Sequence, residues 1–143
     1  SCRRLGSTFG LKTRMRTDYH ADFLPEPGVM LLLDRVEIEF GDDPDRDTFK
    51  LWDGYFEPIA AALFEKGNQP KEFELWQRTE GWSWEDASHL IDDPGLTIER
   101  LSALKETDFD CDYRADVDSC CRDLLRFLKG AVAAGRQIFI RRE

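Results

Sequence analysis

The chain has 143 residues, of which 41% are apolar and 12% aromatic, enough to build one domain around its own core and too apolar for intrinsic disorder. Its net charge of −9 conceals a split: residues 1–16 carry five basic side chains (Arg3, Arg4, Lys12, Arg14, Arg16) and no acid, whereas residues 17–143 hold 15 basic and 29 acidic side chains, a net charge of −14. A body this acidic repels nucleic-acid backbones and attracts cationic partners at rates that fall with salt, so the expectation is a basic protein partner and no nucleic acid.

Residues 1–28 read as an N-terminal arm and an irregular lead-in, with 29–143 as one domain. The first 16 residues lack the apolar stretch of a secretory signal, and Met15 is a candidate start that would make the preceding residues a leader. Pro25 and Pro27 mark His20 to Gly28 as irregular. Val29 to Phe40 is predicted as a strand, uninterruptedly apolar over Val29–Leu33 and then alternating, with Val36, Ile38 and Phe40 on one side. Its apolar run is too short to cross a bilayer, and no membrane association is expected. Gly41 to Asp47 is an acidic turn.

Phe49, Trp52, Phe56, Ile59, Ala60, Leu63 and Phe64 recur at helical spacing. They predict a helix begun by Asp47 or Thr48 and closed by Gly67, with Gly54 and Pro58 forcing either a kink or a regular part that starts near Glu57. Lys71 to Thr79 is predicted as a strand from the alternation of Phe73 and Leu75. Ser83 to Asp86 resembles a capping box and predicts a short helix to Ile91. Asp93-Pro94-Gly95 breaks it. A further helix is predicted over Thr97–Lys105, a strand over Asp108–Tyr113, a longer helix from Asp118 or Ser119 to Ala134, and a closing strand over Arg136–Arg142. Strands interleaved with helices predict an α/β fold: a single-domain two-layer sandwich, a small sheet with helices packed on it.

No complete catalytic or cofactor motif is present. Asp108, Asp110, Asp112 and Asp116 occupy four positions of a calcium-loop template, but Tyr113 and Ser119 stand where it needs glycine and glutamate, so no metal is expected. His20 and His89 have no neighbours at zinc spacing. Cys2, Cys111, Cys120 and Cys121 form neither a CxxC pair nor a disulfide framework and read as free thiols in a reducing, cytoplasmic setting. Without a phosphate-cradling glycine loop, no cofactor is expected.

The most pointed feature is the segment in which Trp76, Trp82 and Trp84 interleave with Glu72, Glu74, Glu80, Glu85 and Asp86. Tryptophan beside carboxylates offers an apolar anchor, a cation–π face and counter-charge to an Arg- or Lys-rich partner. Trp84, at an expected helix start, is the leading candidate for exposure; Trp76 and Trp82 divide evenly between core and surface. The expected partner-binding residues are Glu80, Trp82, Trp84, Glu85 and Asp86, with Asp108, Asp110 and Asp112 as a second patch.

The order of features resembles the small bacterial immunity proteins, most closely the immunity protein 70 type, over about residues 49–142. The resemblance rests on Glu80-Gly81-Trp82-Ser83-Trp84-Glu85-Asp86-Ala87, on Leu101 and Leu104, on Asp116-Val117-Asp118, on Leu124-Leu125 with Leu128, and on Gly135 to Ile140. It implies a cytoplasmic protein that binds and neutralises a cognate toxin, for instance a nuclease whose basic cleft an acidic surface can fill. The alternatives from composition are a small cytoplasmic enzyme with a Cys/His or carboxylate site, and an acidic adaptor domain that docks a basic peptide.

Overall fold

The computed structural model describes residues 15–33, 48–84 and 87–142. The basic arm before Met15, the alternating half of the first expected strand (34–40), the acidic turn, Glu85 and Asp86 lie outside the described residues. The elements in chain order are β1 (Asp18–Tyr19), β2 (Gly28–Leu33), β3 (Thr48–Trp52), α1 (Asp53–Glu65), α2 (Lys71–Thr79), β4 (His89–Leu90), α3 (Pro94–Ser102), α4 (Arg114–Ala133) and β5 (Ile138–Arg142). Single 3-10 turns occur at Ala21–Phe23, Trp82–Trp84 and Glu106–Asp108.

The strands form one mixed sheet in the order β1-β3-β2-β5-β4, with β1 parallel to β3 and every other pair antiparallel. Register places Leu31 between Phe49 and Ile140, with Val29 and Leu51 paired beside them. Because side chains alternate across a strand, Val29, Leu31, Leu33, Phe49, Leu51, Ile138 and Ile140 share one face. All are buried, and α1 and α4 pack over that side with Phe56, Ile59, Leu63, Leu124 and Leu128 fully enclosed. The chain is therefore a single-domain two-layer α/β sandwich, as its pattern predicts.

Several elements differ from expectation. Residues 48–52 are strand, not the start of the helix: Phe49 and Leu51 are fully buried while Lys50 and Trp52 are partly exposed, a period of two that the three-residue spacing of Phe49 and Trp52 hides. Helix α1 starts at Asp53 and runs unbroken through Pro58. Proline cannot donate to the carbonyl of Gly54, and the Tyr113 hydroxyl takes that role at 2.9 Å. The predicted close at Gly67 is observed, with Asn68 N–H donating back to the Leu63 carbonyl.

Lys71–Thr79 is helix α2 rather than a strand. Glu72, Phe73 and Trp76 are its buried residues, a spacing of three and four that outweighs the short alternation of Phe73 with Leu75. The expected helix over 83–91 is a 3-10 turn followed by β4, and Asp108–Tyr113 is turn rather than strand. Helix α3 begins at Pro94 because proline suits the first helical position and the Asp93 carboxylate caps Leu96 N–H at 3.0 Å. Helix α4 begins at Arg114, where Asp116 and Val117 already donate to the Tyr113 carbonyl.

Candidate partner-binding face

The end of α2 sets the tryptophans apart. Glu80 stops the helix in a left-handed conformation (φ 54°), and Gly81 follows at φ 82°, where a Cβ would sit 2.8 Å from both the Trp76 indole nitrogen and an Arg142 guanidinium nitrogen. The reversal sends the chain into the Trp82–Trp84 turn, closed by Trp84 N–H on the Gly81 carbonyl. Residues two apart in such a turn cannot face the same way. Trp82 stands 67% exposed, whereas Trp84 is fully buried against Phe56 and Trp76.

The expectation that Trp84 is a surface contact is therefore corrected: it is core, and Trp76, at 6% exposure, joins it. Of the first patch, Glu80 and Trp82 are exposed, and Glu85 and Asp86 lie outside the described residues. In the second patch, Asp110 and Asp112 are exposed, whereas Asp108 is engaged in the fold: it accepts from Lys105 N–H at 2.8 Å and pairs with Lys66 at 3.5 Å.

The two patches meet on the outer side of α1. A concavity of about 500 Å³ is walled by Asp53, Glu57, Ala61, Trp76, Gln77, Glu80, Trp82 and Arg142. A second, of about 230 Å³, is walled by Gly54, Glu57, Pro58, Ala61, Asp110, Cys111 and Tyr113. They share Glu57 and Ala61, so one shallow face runs from Trp82 across α1 to Asp110. Electrostatics follow the same continuity. Burial raises the Tyr113 phenol pKa above its ordinary value, and Cys111, Glu57 and Asp112 add to the rise. Phe64, two turns beyond Glu57 on α1, is 59% exposed but lines neither concavity. Sequence reasoning missed Glu57 and Ala61 as the bridge; their signal was that they fall off the apolar stripe of α1.

Beneath this face, Arg142 ties β5 to both helices. One guanidinium nitrogen donates to the Asp53 carboxylate at 2.9 Å and another to the Glu80 carbonyl at 2.7 Å. Burial pushes the Asp53 pKa above the usual carboxylate range, opposed by the Arg142 charge. The second Asp53 oxygen and the Trp76 indole N–H are buried with no hydrogen-bond partner. No ion pair engages Glu57, Glu80 or Asp110 among the described residues. A further concavity between α2 and β4, about 420 Å³, is less acidic: its Lys71 pairs with Asp92 and its Arg78 with Glu74, leaving the Glu72 carboxylate in excess.

Cys120, Cys121, His20 and His89 are held in structural roles, whereas Cys111 is half-buried. Cys120 and Cys121 are buried in α4; burial drives the Cys120 pKa well up and the Cys121 pKa to about 12, so both stay protonated at neutral pH and are poor nucleophiles. His20 is buried with its ring against the Glu26 carbonyl, and the His89 ring meets the Ser83 carbonyl at 2.7 Å. No group of three or more His, Cys, Asp or Glu able to hold a metal ion occurs among the described residues, and none of their helices is long and apolar enough to cross a membrane. No protein-family model, curated protein or solved structure matches the chain.

Proposed function

We propose that the chain is a cytoplasmic immunity protein that binds a cognate bacterial toxin and neutralises it by covering the toxin's basic surface. The observation that carries this reading is the continuity of the two acidic patches across Glu57 and Ala61, with Trp82 exposed at one end. Glu57, Glu80, Asp110 and Asp112 give the face its negative potential, and Trp82 gives it apolar contact area. That combination suits a partner with a positive cleft, such as a nuclease: complementary charge accelerates encounter, and aromatic anchors slow dissociation. The contacts carried over from sequence are Glu80, Trp82, Asp110 and Asp112, together with Glu85 and Asp86; Trp84 and Asp108 support the fold beneath them.

The test is calorimetry against the product of the neighbouring gene. Tight binding that weakens with added salt, and that Glu57→Lys together with Glu80→Lys abolishes, is expected. Binding indifferent to both salt and these substitutions would remove the basis of the reading, as would no binding at all.

A further inference from the structure

We infer that the concavity between α1 and α2 receives one arginine side chain of the partner, making it the specificity anchor of the face; this rests on the reading that the face binds a basic protein. Asp53, Glu57 and Glu80 set three carboxylates against the one guanidinium of Arg142, leaving two net negative charges around about 500 Å³ of space. Arg142 is already occupied by Asp53 and the Glu80 carbonyl, so it competes little for the remaining acceptors. Two polar atoms of the concavity's lining residues, both buried, lack hydrogen-bond partners. The free Asp53 oxygen needs a donor, and the indole N–H of Trp76, a residue more than nine-tenths buried, needs an acceptor.

An arginine side chain brings planar N–H donors that can fork to the solvent-facing carboxylates of Glu57 and Glu80. Lysine would bring a single compact ammonium, unable to fork between those carboxylates or to lie flat on an aromatic ring. The exposed Trp82 indole at the rim provides that ring, where a guanidinium gains cation–π attraction. Gly81 keeps the wall clear, since a Cβ there would intrude on both Arg142 and Trp76.

The experiment follows the indole N–H resonances of the intact chain by NMR while N-acetyl-arginine amide is added. The neutral N-acetyl-citrulline amide serves as the isosteric control. Saturable shifts at Trp76 and Trp82 are expected with the arginine probe, with citrulline at least about tenfold weaker and a comparable loss in the Glu57→Gln/Glu80→Gln variant. Both glutamates are exposed, so that variant is expected to stay folded, and an unchanged amide spectrum elsewhere verifies it. Equal responses to arginine and citrulline, shifts that do not saturate, or shifts that survive in the variant would overturn the inference. If a toxin partner binds the face while the arginine probe is silent, the anchor is wrong and the neutralising role stands. If the probe binds in this pocket but no toxin does, the anchor stands and the neutralising role falls.

Discussion

Replacing Arg142 with leucine removes the only cation that lines the Asp53 pocket among the described residues and leaves a mostly buried carboxylate without its ion pair. Side-chain exposures of 19% for Arg142 and 18% for Asp53 place the pair between surface and interior. Breaking a fully buried pair costs about 3–5 kcal/mol, and scaling down for partial exposure gives about 2–3 kcal/mol at neutral pH. The cost depends on pH. Asp53 already titrates above its unfolded value of 3.8 because burial disfavours its charge, and Arg142 opposes that rise. Without Arg142 the folded pKa climbs further. A carboxyl whose folded pKa is raised is most stabilising when protonated, and that stability is lost as pH rises through the folded pKa. The deficit of Arg142→Leu relative to the parent should therefore shrink as pH falls through the raised folded pKa of Asp53. Adding Asp53→Asn removes the stranded charge and should restore about 1–2 kcal/mol, a coupling that isolates the pair because the lost Glu80 contact cancels in the cycle. Urea unfolding followed by tryptophan fluorescence measures all four proteins. A deficit that does not vary with pH, or single-variant costs that simply add, would refute the assignment of Asp53 as the buried partner.

Trp84→Ala should cost about 3–5 kcal/mol by opening a cavity against Phe56 and Trp76, whereas Trp82→Ala should change stability by less than about 0.5 kcal/mol and weaken partner binding; chemical denaturation and calorimetry separate the two. Tyr113→Phe leaves the Gly54 carbonyl without the donor that replaces the Pro58 N–H, at a cost of about 1–2 kcal/mol in the same unfolding assay. In a Cys2→Ser background, an aromatic disulfide reagent should modify Cys111 in the native protein, with Cys120 and Cys121 reacting only after denaturation.

The layer architecture was legible because its driving residues are unambiguous: the run Val29–Leu33, the stripe of α4, and Ile138 with Ile140 admit few other placements. The misassigned segments are those in which two periods coexist. Phe49 and Trp52 satisfy a helix while Phe49 and Leu51 satisfy a strand, and pairing with β2 decides the outcome. Phe73 and Leu75 alternate, yet Phe73 and Trp76 lie on one helical face and can reach Phe56, so packing selects the helix. Both kinds of choice are made by contacts distant in sequence, which local patterns do not contain.

The candidate face was half legible. Clusters of acid are visible in any sequence, and Glu80, Trp82, Asp110 and Asp112 are exposed as their surroundings implied. That Glu57 and Ala61 join the clusters, and that Arg142 returns from the final strand to sit under them, depends on α1 lying between α2 and the 109–113 turn. The exposure of Trp82 rather than Trp84 turns on one left-handed pair, Glu80 and Gly81, whose reversal no period reveals.

The most direct test of the central claim is growth rescue in bacteria that express a candidate cognate toxin. Co-expression of the parent chain should restore growth, and a Trp82→Ala/Glu57→Lys/Glu80→Lys variant of equal abundance should fail. Rescue by that variant equal to the parent's, or no rescue by the parent, would contradict the assignment of this acidic face as a toxin-neutralising surface.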